Sequence, residues 1–205
     1  ADAFGDMQRQ ALRTAGVDLT HLRTHPSEPT GTAVIVVSDE GQNSIIVTPA
    51  ANAGIRPEDI AALAPLMDRI DIVVLQLEIP MDTVEAALTL ARKHGVTSIL
   101  DPGVAQPLPD ELLCKADIVS PNETEAEAIT GIRLDSIDGV RESAAILQQR
   151  GVRHAVLKRG PQGSYYGGES GEAYAPAFAV TPVDTTAAGD AFTGALAVMW
   201  GRVGV

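Results

Sequence analysis

Residues 71–101 read DIVVLQLEIPMDTVEAALTLARKHGVTSILD. The stretch opens on an apolar run, Asp71–Leu77, of strand length. An amphipathic helical segment, Met81–His94, follows and is stopped by Gly95. A second apolar run, Val96–Leu100, ends in Asp101-Pro102-Gly103. Two strands joined through a helix run parallel in one sheet. Runs without alternation, such as Ile72–Leu75, fit strands buried on both faces. The expected fold is therefore α/β: a largely parallel sheet with helices on both faces. Ligands of such sheets sit outside the carboxyl ends of the strands.

The same rhythm extends outward. Pro57-Glu58-Asp59 opens a helix expected to run to about Met67. Downstream, Asp110–Lys115 reads as a short helix and Asp117–Ser120 as a strand ended by Pro121. Asn122–Thr130 and Ile137–Arg150 read as helices closed by Gly131 and Gly151. His154–Leu157 is a strand, and Gly160-Pro161-Gln162-Gly163 a turn. Ser164–Tyr166 and Glu172–Ala175 form a hairpin around Gly167-Gly168, and Ala187–Trp200 is the last helix. The loops to search are those after Leu77, Leu100, Ser120 and Leu157. Upstream, Ala1–Ala15 reads as helix, and Thr32–Ser38 with Asn43–Thr48 flank a hairpin loop, Asp39-Glu40-Gly41-Gln42. With no repeat or linker, residues 1–205 read as one α/β domain, with residues 30–53 as part of a small separate sheet or lid. The abrupt helical ends lead us to expect missing sequence on both sides.

The charge balance is 15 Lys plus Arg against 27 Asp plus Glu, or −12, which would repel a phosphate backbone and argues against nucleic acid as partner. Apolar residues are 45%, too many for a disordered chain. Aromatic residues are only 3%, so the core must be built from Ala, Val, Ile and Leu. The apolar runs fall far short of the ~18 residues of a membrane span. A single cysteine, Cys114, excludes an internal disulfide framework and points to a reducing, cytoplasmic setting. Just ahead of a strand, it is expected in the core.

Several chemistries are missing from the pattern. There is no P-loop, no G-x-G-x-x-G and no G-x-S-x-G elbow. His21, His25, His94 and His154 show no metal-ligand spacing. His21 and His25 lie in a loop-like stretch, and His94 suits a helix carboxyl end.

Three segments carry candidate chemistry. In Val183-Asp184-Thr185-Thr186-Ala187-Ala188-Gly189-Asp190-Ala191-Phe192 a strand-like end passes through small residues into a helix. A helix start offers free N–H groups and a positive dipole end, and small residues let an anion approach. Asp190 in the first turn would repel a phosphate unless it takes a proton from a hydroxyl that attacks it. Alternatively, it simply stabilises the helix start. In Ser120-Pro121-Asn122-Glu123-Thr124-Glu125, Asn122 and Glu125 make a capping box, or an oxygen pair facing a hydrated Mg²⁺. Glu123 and Glu127 look solvent-facing. In Val156-Leu157-Lys158-Arg159-Gly160-Pro161-Gln162-Gly163, Lys158 or Arg159 could neutralise phosphate, with Gly160 and Gly163 letting a nucleotide lie on the backbone. A plain polar turn is the competing reading.

In this order, the three segments resemble the ribokinase-type (PfkB) carbohydrate kinases. Val183–Phe192 looks like that family's second signature, Ser120–Glu125 like its Asn-x-x-Glu motif and Lys158–Gly163 like its nucleotide loop. Thr30–Val34, Ala50–Ala53, Gln76–Pro80 and Asp117–Gly131 narrow the likeness to the ribokinase branch, over almost the whole chain. The resemblance implies ATP-dependent phosphorylation of a sugar, D-ribose foremost. A keto-sugar acid, fructose or deoxyribose is the alternative, and an inactive fragment or sugar- or nucleotide-binding module the rival of another class.

It implies Asp190 as base, with Ala187, Ala188 and Gly189 as the anion hole. It implies Asn122 and Glu125 organising Mg²⁺ through water, and Lys158, Arg159, Gly160 and Gly163 bordering ATP. Glu78 and Asn52 would hold the sugar, and Asp184 and Thr186 an activating K⁺. A homodimer would form through the lid sheet. Lys158-Arg159-Gly160 departs from the Thr-Leu-Gly usual in ribokinases, Ala51 stands where Gly is usual, and Pro102-Gly103 departs from the usual loop.

Overall fold

The computed structural model describes residues 2–37 and 43–203. The chain divides into two compact units, Ala1–Arg56 with Glu78–Pro80, and Pro57–Leu77 with Met81–Val205.

The first unit begins with α1 (Ala3–Thr14). Asp2 caps it: one carboxylate oxygen accepts from the Gly5 N–H at 2.9 Å and the other from the Thr30 N–H at 2.7 Å. That second bond ties the helix start to the entry of β1 (Thr32–Val37). β1 pairs antiparallel with β2 (Asn43–Thr48), from Thr32 opposite Thr48 to Val37 opposite Asn43. The expected loop at 39–42 lies outside the described residues. Val34, Ile35, Val36, Ile45, Ile46 and Val47 are all exposed, so this two-stranded ribbon shows aliphatic side chains on both faces.

The second unit holds a six-stranded sheet. Its strands are β3 (Ile72–Leu75), β4 (Thr97–Leu100), β5 (Ile118–Val119), β6 (His154–Lys158), β7 (Ser164–Gly168) and β8 (Gly171–Ala175), adjacent in that order. β3 to β6 are parallel, and β7 and β8 add an antiparallel hairpin. The expected α/β sheet is thus present, mixed at one side. α3 (Met81–His94) buries Thr83, Val84, Ala87, Leu88 and Ala91 along one face, the spacing of a helical stripe. A buried leucine such as Leu88 contributes about 1.5–3 kcal/mol. α5 (Glu123–Thr130) and α6 (Ile137–Gln149) follow β5. On the sheet residues Ile99, Ile118 and Val156 pack Phe192, Leu196, Ala197 and Trp200 of α7 (Ala188–Val203). Ala, Val, Ile and Leu make most of this core, as the composition requires.

Three expectations are corrected. The helix expected from Pro57 to Met67 breaks into α2 (Pro57–Ala61) and a 3₁₀ turn, Ala64–Arg69. Pro65 has no N–H to donate and disfavours α geometry in the residue before it. β3 is not buried on both faces: it pairs with β4 alone among the described residues, and Val74 is 45% exposed. Cys114 is exposed rather than core. It caps the carboxyl end of the four-residue α4 (Asp110–Leu113), its N–H donating to the Asp110 carbonyl at 2.9 Å.

Candidate active site

The strand carboxyl ends form a stepped rim within the second unit. The ladder continues beyond the strands, with the Asp101 N–H on the Leu75 carbonyl, Ser120 on Leu100 and Lys158 on Pro121, each at 2.9 Å. These bonds hold Asp101, the Ser120–Asn122 turn and Lys158 along one edge.

Lys158 is deep in that edge and firmly paired. Its ammonium donates to both Asp101 oxygens at 2.7 Å, and the two side chains are 11% and 4% exposed. Thr193 of α7 donates its hydroxyl proton to Asp101 Oδ2. Lys158 Nζ also lies 3.6 Å from where a side chain on Gly189 would begin. The sequence reading singled out Lys158 and Gly189 but missed Asp101 and Thr193. Asp101 opens the loop after Leu100, one of the loops to search, but no motif there singles it out, and Thr193 sits mid-helix.

The segment before α7 makes a tight entry. The Thr186 N–H donates to Asp184 Oδ1 at 2.8 Å, which holds the Asp184 carboxyl below its usual range. Ala187 has φ +59°, a left-handed turn that a non-glycine residue seldom takes. The Ala188 N–H is engaged by the Thr185 carbonyl at 3.1 Å, so one donor of the expected anion hole is already used in the turn. Asp190 is exposed in the first turn and accepts from Gln76 Nε2 at 2.9 Å. Gln76, just past β3, orients the carboxylate and was not singled out by itself from the sequence.

Asn122 and Glu125 form the expected capping box. The Glu125 N–H donates to Asn122 Oδ1, while Asn122 N and Nδ2 each donate to one Glu125 oxygen, all at 2.9 Å. Glu123 and Glu127 are exposed, as expected. Glu125 is buried, and burial pushes its carboxyl above the usual range; the Asn122 N–H and the Lys158 charge oppose this, and the charges of Asp101 and Glu123 add to it. A raised carboxyl is protonated more in the folded than in the unfolded chain. Its contribution to stability is full below the unfolded value of 4.5 and is lost as pH rises through the folded value. Glu125→Gln is therefore expected to flatten the stability loss above pH 4.5. Urea midpoints measured stepwise from pH 4.5 to 7 check this; parallel curves for the two proteins would refute it.

The remaining candidates are dispersed. Arg159 is 7% exposed, donates to the Leu134 carbonyl at 3.1 Å and leaves its Nε without a hydrogen-bond partner. Its guanidinium is thus held inside rather than at the rim. Gly160 (φ +47°) borders Glu123, and Gly163 (φ +86°) closes the turn with its carbonyl accepting from the Arg159 N–H at 2.8 Å. Glu78 is exposed. In the first unit, Asn52 is exposed and its amide packs over Gly31, where a Cβ would come within 3.3 Å of Nδ2. Among the described residues no three His, Cys, Asp or Glu converge as a metal cage. Asn122 Oδ1 already accepts from the Thr124 hydroxyl and the Glu125 N–H, but each Glu125 oxygen keeps lone pairs beyond its one bond, so Glu125 fits a water of a hydrated Mg²⁺ shared with phosphates. His25 Nδ1 instead accepts from the Glu28 N–H at 2.9 Å within its own loop.

A family model described as pfkB family carbohydrate kinase matches residues 1–202. The chain belongs to this family. A curated relative from Staphylococcus aureus (strain COL), named ribokinase, is 36% identical over 194 residues, covering 95% of this chain and 64% of the relative. A Salmonella typhi protein named deoxyribokinase is 36% identical over 197 residues, covering 96% and 64%. The structure of Arabidopsis thaliana ribokinase complexed with ribose and ATP superposes with a TM-score of 0.87 at 34% identity, covering 98% of this chain and 66% of that one. The chain thus spans 64% of the length of these two curated pfkB relatives. Among its described residues no helix is long and apolar enough to cross a membrane.

Proposed function

We propose that the protein is an ATP-dependent sugar kinase that transfers the γ-phosphoryl group to a terminal hydroxyl, with D-ribose as substrate. The observation that carries this is the meeting of Asp190, Gly189, Lys158 and the Asn122–Glu125 box on one sheet edge, in a chain of the pfkB family. Asp190 accepts the hydroxyl proton while Gln76 keeps its carboxylate turned to one side. The amino end of α7, from Ala187 through Gly189, receives the charge that develops on the phosphoryl oxygens, with the Ala188 N–H first released from the Thr185 carbonyl. ATP lies along Lys158–Gly163, with Arg159 shaping the loop from inside. Asn122 and Glu125 would hold Mg²⁺ through water, and the ion would supply neutralisation of phosphate charge. Asp184 and Thr186 are the residues for an activating K⁺, and the acidified Asp184 supports that role. Asn52 and Glu78 bind sugar hydroxyls. The aliphatic faces of β1 and β2 support a homodimer through that ribbon. The single cysteine supports a reducing, cytoplasmic setting.

The test is ADP formation by the full gene product with Mg²⁺-ATP, with and without K⁺, on ribose, deoxyribose, fructose and a keto-sugar acid. The expected result is preference for ribose. The Salmonella relative makes deoxyribose the second reading; a preference for it would keep the mechanism and change the substrate. No turnover on any sugar would leave a binding module.

A further inference from the structure

Asp101 has no part in the roles assigned above, yet its carboxylate carries three hydrogen bonds on this edge. It is 3% exposed. It accepts twice from the Lys158 ammonium and once from the Thr193 hydroxyl, so three elements meet on one carboxylate: the ends of β4 and β6 and the body of α7. A buried ion pair loses hydration that an apolar pair of similar size would not, so packing alone gives no reason to keep one here. Lysine is a compact charge on a flexible four-carbon stem. Without a fixed counter-charge it would sample many rotamers. With Asp101 it is confined beside Gly189, where the amino end of α7 receives phosphate.

We infer that Asp101 is a positioning residue for phosphoryl transfer: it holds the Lys158 ammonium where that group meets the terminal phosphate of the nucleotide, and Thr193 fixes the carboxylate from the helix side. The inference rests on the kinase reading. Lys158 touches the donor; Asp101 acts through Lys158.

The experiment compares wild type, Asp101→Asn, Lys158→Met and the double variant of the full gene product. It measures sugar turnover, and calorimetric binding of a non-hydrolysable ATP analogue and of ADP. Asp101→Asn is expected to lower kcat about 10-fold or more with KM for sugar nearly unchanged, and to weaken the analogue more than ADP. In the Lys158→Met background, Asp101→Asn adds no further loss of kcat. Should Asp101→Asn fail to fold, Thr193→Val is expected to lower kcat several-fold with KM for sugar unchanged, and Thr193→Ser to restore it. Unchanged kcat in either variant, or losses that add fully with that of Lys158→Met, would overturn the positioning role. If wild type phosphorylates sugar and Asp101→Asn keeps both kcat and the analogue preference, the positioning role falls and the kinase reading stands. If wild type phosphorylates no sugar but Asp101→Asn abolishes a preference for the analogue over ADP, the sugar-kinase reading falls and with it the role in phosphoryl transfer, and only the placement of Lys158 against a terminal phosphate stands. If wild type shows neither turnover nor preference, both fall.

Discussion

Asp190→Asn is expected to cut turnover by about 10² to 10⁴-fold, the span that a positioned general base contributes. Asparagine has nearly the same shape and keeps a carbonyl oxygen for the Gln76 amide. It cannot take a proton. The change removes a negative charge from the first turn of α7, which lowers helix stability by only about 0.3–1 kcal/mol. Asp190 is exposed, so no buried group is left unsatisfied. Nucleotide affinity should therefore hold, or rise slightly as repulsion of phosphate falls. Steady-state kinetics with calorimetric ATP binding separate the two effects. Turnover within a few-fold of wild type would remove Asp190 as base and leave it a helix-start carboxylate.

Gly163→Ala is expected to destabilise the fold by about 3 kcal/mol or more. Gly163 has φ +86° and ψ −141°, a conformation that only glycine adopts without strain. A Cβ there would collide with the Ala175 carbonyl oxygen and lie 2.8 Å from the Ala177 nitrogen, both backbone atoms that no rotamer can move. Backbone strain and steric overlap each cost about 1–3 kcal/mol. Gly171→Ala is the control: φ is +107°, but nothing lies within 4 Å of its Cβ, so it carries the strain without the collision. Urea unfolding should show a lower midpoint for Gly163→Ala than for Gly171→Ala, with an unchanged slope. Equal midpoints would show that the strand ends can shift to admit the methyl group.

The two departures at Lys158 and in the loop after Leu100 looked separate in the sequence. In the fold Asp101, the residue just ahead of Pro102-Gly103, meets Lys158, because Asp101 follows β4 and Lys158 ends β6, with β5 between them. The capping box at Asn122 shows the opposite case. Its partners are three residues apart, so helical geometry alone brings them together. Arg159 shows a limit of reading residue type: beside Lys158 it looks like a second rim cation, but past the end of β6 the chain enters the 160–162 turn and the guanidinium is held inside on the Leu134 carbonyl.

The strand–helix alternation, the parallel sheet and the pfkB motif order follow from local signals: apolar runs, caps and glycine stops, each acting within one element. Tertiary structure decided the rest. It opened one face of β3, paired Lys158 with Asp101 across 57 positions and brought Gln76 to Asp190 across 114. Those contacts depend on which strands stand side by side and where each ends, and a single chain of letters carries no distance between residues so far apart.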